Sequence, residues 1–452
     1  MKARTVKKGH ASWVESPARR DAHWQRILSM GRPAVLEQSF SPQIIFHQGS
    51  GAHSSSAARG SLWRTLSLLL PFILFPVGSL PVQAEEMPVS PGMKISIRTP
   101  QSDIVVQGWD NSTLQARAFL KKTDRELPVR FKEDPGSPGI IQVALDPDSG
   151  SGDAKLEVKV PRAALDSVES TSGDLTLRNL GGGVKAKTGS GDISAEGVGD
   201  LAASTGSGDV DVKEAVGTVS IVTGSGDVGI HGALSAEVKT KSGDVNLANL
   251  KGNATVQVTS GDITVNGVGA DLSLGASSGD ITVENVRGGV SANLTSSDLK
   301  LQQVGKDVHI TAVSGDLTLG CIGGRLEVNS VSGSIAVQQY QGDLDIATVS
   351  GDLTAEGPIR AGGRYRMKSN SGDVTLNLPG AAPGFTATLS SYSGSVETDF
   401  PLTIDPALQR GSISRRLSGK YGDGQAQITL DAFGGQVRLK KSTAGSSGNC
   451  RF

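Results

Sequence analysis

The sequence predicts an all-β fold: a β-solenoid, a β-helix-like rod of 17–18-residue coils with two short strands per coil. Three observations predict it. The phrase Ser-Gly-Asp recurs at near-constant spacing, apolar residues alternate on both sides of it, and aromatic residues make up only 4% of the 452-residue chain. Gly is abundant, at 59 residues, which suits many tight turns between short strands and is poor for one large globular core.

The N-terminal part stands apart from this pattern. Residues 1–61 show no hydrophobic period and read as a disordered leader or a mis-called start. Residues 62–84, "LWRTLSLLLPFILFPVGSLPVQA" with Ser61 before them, read as a signal peptide or a membrane anchor. Arg64 precedes an uncharged run of about 20 residues, long enough to span a bilayer. Pro71, Pro76 and Pro81 disfavour a spanning helix, and "VQA" is a small-residue cleavage site, so cleavage after Ala84 is favoured over a retained anchor. Either way the body is expected to be exported, to the periplasm or the cell surface, with membrane contact only through 62–84 if uncleaved. Residues 1–84 hold 10 Lys/Arg and 3 Asp/Glu, which leaves 34 basic and 42 acidic residues in the body, a net of −8. An acidic body of this kind argues against nucleic acid as a partner.

Residues 85–165 read as entry strands and an N-terminal cap, and 166–380 as the regular solenoid. Taking the Asp slot as a ruler, marks fall at Asp174, Asp192, Asp209, Asp227, Asp244, Asp262, Asp280, Asp298, Asp316, Ser334 and Asp352 in steps of 17 or 18. Within "SGDVNLANLKGNATVQVT", Val245, Leu247, Leu250, Ala254, Val256 and Val258 are apolar, and a Gly-bearing turn separates the two strands. No coil can bury its apolar side alone, so stability must come from stacking. Coils about 4.8 Å apart, some thirteen in all, give a rod roughly 60 Å long. Later marks at Asp373 and Ser395 stretch the step to 21 and 22, which places insertions in the final coils. Residues 381–440 therefore read as irregular final coils and a C-terminal cap, and 441–452 as a flexible tail.

A column of Asp along a rod sets like charges about 5 Å apart, at about 1 kcal/mol per neighbouring pair even in water. Three roles would justify it: turn chemistry, a ladder of weakly bound cations, or a row of catalytic acids. Ser334 and Ser395 keep a hydrogen-bonding oxygen in the slot and lose the charge, which a turn tolerates and a metal site does not. The reading is therefore structural for Asp174, Asp192, Asp209, Asp227, Asp244, Asp262, Asp280, Asp316, Asp352 and Asp373. The Gly of the phrase should have positive φ, and Ser297, which replaces it in "TSSDL", should be strained or sit in a rebuilt turn.

Little else suggests chemistry. Outside the leader only His231 and His309 remain, each without a second His nearby. No G-x-S-x-G elbow is present, and "GSGD" does not open a helix as a phosphate loop must. Aligning "TGSGDVDVK" with the calcium-binding nonapeptide of secreted toxins puts Val210 where a ligand Asp belongs. Cys321 and Cys450 lie far apart without CxxC partners, and a disulfide between them is the lesser alternative. No cofactor, metal site or catalytic residue is expected. The enzyme alternative is a polysaccharide-binding or polysaccharide-cleaving solenoid using paired carboxylates such as Asp209/Asp211 or Asp343/Asp345. The lack of any aromatic residue from 133 to 338 removes the platforms on which sugars stack. Tyr340, Tyr365, Phe385 and Tyr392 gather in the last coils; Tyr340, Tyr365 and Tyr392 are candidate partner contacts, with core plugging as the other explanation.

With these residues in view, the chain resembles the bacterial putative adhesin family, an envelope domain of β-strand repeats. "MKISIRTPQSDIVVQGWDNSTLQARAFLKK" is similar to its entry strands, "LEVKVPRAALDSVESTSGDLTL" to its passage into the coils, and "GKYGDGQAQITLDAFGGQVRLKK" to its closing turn and final strand. The resemblance covers about residues 90–440 and implies an exported, non-catalytic binding or scaffold role. Its partner would be an envelope protein or a cell-wall polymer, and it brings no catalytic residues.

Overall fold

The computed structural model describes residues 85–145, 153–404, 415–442 and 450. The leader, the segment 62–84 and most of the tail lie outside the described residues. The described residues, from 85 onward, belong to one compact unit. Among its described residues every regular element is a β-strand, and they form a β-solenoid of about 12 turns with parallel pairing about 18 residues apart.

One coil shows how the sequence makes the rod. Strand Ser235–Ser242 runs along one sheet, turns at Gly243-Asp244, and returns along the facing sheet as Val245–Leu250. The next coil lies directly on it, with Val238 beside Val256 and Val245 beside Ile263. Inward positions are Val, Ile, Leu and Ala, almost fully buried along the whole length, so the core is a continuous apolar seam between two parallel sheets.

The strict alternation expected of Val245–Leu250 fails at its end, where two residues separate buried Leu247 from buried Leu250. The cause is a left-handed residue, Asn249 at φ 57°, which shifts the phase and turns Leu250 back inside. Asn179 and Asn285 do the same at φ 54° and 62°. These are the side chains that tolerate this conformation best after glycine. A second internal feature is a buried hydroxyl just before the Ser-Gly-Asp corner. Thr223 and Thr240 donate to the carbonyls of Ser225 and Ser242, at 3.0 and 3.1 Å.

Stacking order departs from sequence order at both ends. The strand Ser102–Trp109 lies between Ala154–Pro161 and Leu175–Leu180. At the far end, Ala426–Ala432 pairs with Arg364–Ser371 on one side and with Phe385–Ser391 on the other. Val437–Ser442 likewise sits between Val374–Pro379 and Val396–Thr398. The ruler placed Ser395 directly after Asp373; in the structure the layer of residues 426–442 intervenes. Antiparallel strands Thr113–Leu120 and Arg415–Tyr421 then cover the parallel edges. Phe385, Phe400 and Tyr421 close the C-terminal end of the core as an aromatic cluster with centroids 5.2–5.3 Å apart.

Candidate functional site

The Gly of the repeated phrase sits at φ 122°, 136° and 119° in Gly243, Gly261 and Gly279, in the region expected. A second constraint is steric. A Cβ on Gly243 would lie 2.2 Å from the carbonyl oxygen of Gly226 in the preceding coil, so neither the conformation nor the space admits a side chain.

This corner leaves one backbone group without a backbone partner. The N–H of Gly243 donates to the Ser260 carbonyl and that of Val245 to the Asp262 carbonyl, both in the following coil. The N–H of Asp244 points the other way and donates to Asp227 Oδ1, at 2.8 Å. Asp209, Asp227, Asp244 and Asp262 accept in the same way from the next coil at 2.8 Å each. The series begins at Asp103, which accepts from Asp174, and ends at Asp373, which accepts from Gln436. The acceptor role expected of the slot holds, and the backbone N–H it accepts belongs to the next coil, 17 or 18 residues later.

The series is interrupted in two places. Ser297 takes a negative φ, so its turn is rebuilt; its hydroxyl is buried without a partner, and among the described residues Asp298 makes no bond to Asp280. Ser334 accepts nothing from Asp352, although its own N–H donates to Asp316 Oδ1 at 2.8 Å.

A second column of the same kind lies at the opposite corner and was missed. Asp200, Asp271 and Asp307 accept from Thr218, Gly289 and Arg325 at 2.8 Å, and Asn253 from Asp271 at 3.1 Å. Its signal is the polar residue that precedes each first apolar residue in "GNATV", "GADLSL" and "GKDVHI". The phrase "SGD" at 151–153 was also passed over, although Asp153 begins the layer stacked on Asp103. Lys121 neutralises that end, 2.6 Å from Asp103 and 3.5 Å from Asp153.

The carboxylate pairs have other partners. Asp211 pairs with Lys213 at 2.7 Å while Asp209 holds the Asp227 N–H. Asp343 is bound by Arg360 at 2.8 Å, and Asp345 lies 3.5 Å from Arg325. Partial burial opposes ionisation of Asp343, but hydrogen bonds from Arg360 and the Arg364 N–H outweigh it and hold the carboxyl below its ordinary range. A general acid for glycoside cleavage needs the opposite shift. His231 is exposed beside Lys213, and His309 lies 3.9 Å from Glu327. Among the described residues no three His, Cys, Asp or Glu side chains group as metal ligands. The concavities are open grooves over successive coils, such as the one lined by Asn253, Asp271 and Asp307, whose side chains already serve the backbone.

The tyrosines separate into two kinds. Tyr340 and Tyr365 are 0% and 1% exposed, with centroids 5.9 Å apart, and are core plugs; neither can touch a partner. Burial pushes the Tyr340 phenol up, and Tyr365 Oη accepts the Arg360 N–H at 2.8 Å. Tyr392 alone of the three is exposed, and it stacks on Phe433. Cys321 and Cys450 form a disulfide across 129 residues, against the expectation that they remain apart. Cys321 occupies the left-handed column, at φ 54°, and its sulfur meets that of Cys450. Ser442 donates to Glu356 at 2.6 Å.

The family described as Toastrack DUF4097 matches residues 88–287 and 270–440. No curated protein matches the sequence. A solved structure described as a putative cell adhesion protein from Clostridium sporogenes covers 80% of this chain and 99% of its own, at 9% identity and a TM-score of 0.15.

Proposed function

This chain belongs to the Toastrack DUF4097 family, and from that membership we propose that it acts outside the cytoplasm as a non-catalytic, adhesin-like binding or scaffold rod of the cell envelope. The observation that carries the non-catalytic part is the use of its carboxylates. The Asp residues present in quantity accept backbone N–H groups from neighbouring coils, and the two paired sets weighed as catalytic acids are held by Lys213, Arg360 and Arg325. Such a rod presents long, repetitive, hydrogen-bonding flanks suited to many weak contacts.

The Cys321–Cys450 disulfide supports export, because structural disulfides persist in oxidising compartments. The N-terminal segment 62–84 supports it from sequence. Proximity labelling in the native envelope, followed by pull-down with the purified chain, tests the reading: a dominant protein or wall-polymer partner is expected. Turnover on a panel of polysaccharides, abolished by D343N or D209N, would replace it with the enzyme reading.

A further inference from the structure

One flank of the rod differs from the rest. Val313, Val331 and Val349, 49%, 50% and 51% exposed, stack in successive layers on the outward face of one sheet. After Asn370 the same column continues with Phe433 and Tyr392, 55% and 53% exposed, their rings stacked at 4.7 Å and 3°. Earlier coils put Gly206, Gly224, Lys241, Thr259, Ser277 and Thr295 in this slot. The apolar ridge is therefore confined to the C-terminal layers.

Cations accompany it on the same face. Arg364, Arg366 and Lys368 point outward along one strand, and Arg416 and Lys420 are exposed two layers beyond the strand that carries Phe433. Among the described residues none of the five is in an ion pair. The outward positions of these layers hold one acid, Asp431, which bonds to the Ser390 hydroxyl. In the adjoining layer Asp343 and Asp345 are taken by Arg360 and Arg325. Arg364 acts electrostatically on Asp343, Arg366 lies in register with Asp345 and Lys368 with Asp431, yet with Arg416 and Lys420 the cations of this face still outnumber the acids beside the exposed rings.

We propose that this flank docks on an anionic bilayer surface, with the valines and ring edges at the headgroup boundary and the cations over the lipid phosphates. Aromatic side chains favour that boundary, and basic residues beside an apolar strip supply the second attachment signal that stable membrane binding requires. This inference rests on the reading of the chain as an envelope rod but fails separately from it, since a pull-down partner can be found whether or not this flank touches lipid.

The full-length chain, labelled with an environment-sensitive dye at N370C or, in the same column, at T259C, is mixed with vesicles rich in phosphatidylglycerol or made of phosphatidylcholine alone. Dye burial is expected at position 370 on the anionic vesicles only, and at position 259 on neither. Each cation near an anionic leaflet is worth about fivefold in partition, so R364Q/R366Q/K368Q should lower the ratio of buried to free label roughly a hundredfold. Equal burial at both positions, no burial, an unaffected triple variant, or dextran sulfate displacing vesicles as the preferred ligand would each overturn the proposal.

Discussion

Ser297→Gly should stabilise the rod, although glycine in a folded segment ordinarily destabilises. Ser297 is 2% exposed and its hydroxyl has no hydrogen-bond partner. Relief of such a buried hydroxyl is worth about 1–3 kcal/mol. Glycine also lets the corner adopt the φ of its neighbours Gly279 and Gly315, 119° and 125°, which aims the Asp298 N–H at Asp280. That regained bond adds about 1 kcal/mol. Glycine's extra unfolded-state entropy subtracts about 0.5–1 kcal/mol, leaving a net gain of about 1–3 kcal/mol. The assay is the urea midpoint at unchanged m-value. S297A separates the two contributions, because it removes the hydroxyl without gaining access to positive φ. By the same figures S297A should also raise the midpoint, because the regained bond and the glycine entropy nearly cancel; if either S297G or S297A lowered the midpoint, the account of the corner would be refuted.

Other outcomes follow from the same geometry. Gly243→Ala, with its Cβ 2.2 Å from the Gly226 carbonyl, should cost at least about 3 kcal/mol from strain and coil displacement. Gly275→Ala, whose nearest neighbour is 3.8 Å away, should stay within about 1 kcal/mol of wild type; thermal melts compare the two. Cys450→Ser opens a link across 129 residues and should lower stability by up to about 5 kcal/mol, with limited proteolysis showing cleavage first in the C-terminal coils. Tyr365→Ala should cost about 3–5 kcal/mol, and Tyr392→Ala, at an exposed site, under about 1 kcal/mol, read from denaturant midpoints.

The rod was legible because one physical demand, superposable corners, writes the same residues into every coil. The Gly of that corner could be read for its conformation, since φ is a local property. The partner of the Asp could not, because the N–H it satisfies belongs to a residue 17 or 18 positions later and only stacking brings them together. Layer order failed for a similar reason. The segment 426–442 enters between Arg364–Pro379 and Phe385–Thr398 with the degenerate phrase "FGGQ", in which Gln436 takes the Asp slot. For Tyr340 and Tyr365 the sequence left partner contact and core plugging both open, because a side chain's facing in the loosened last coils depends on register; the structure buries both rings. Cys321 carried no signal, since only the folded chain brings Cys450 beside it. The ridge of Val313, Val331 and Val349 was visible in the sequence as "AVS", "SVS" and "TVS", but its exposure required the register.

The most direct measurement replaces Asp209, Asp227, Asp244 and Asp262 together, once by Asn and once by Ala, and compares unfolding midpoints with wild type. Asn keeps an oxygen for each following N–H and removes the repulsion along the column, so that variant should be as stable as wild type or more so, while the Ala variant should fall below the Asn variant by about 1 kcal/mol per site. An Asn variant that unfolds, or an Ala variant equal to it, would mean that these carboxylates are not there to hold the backbone of the next coil.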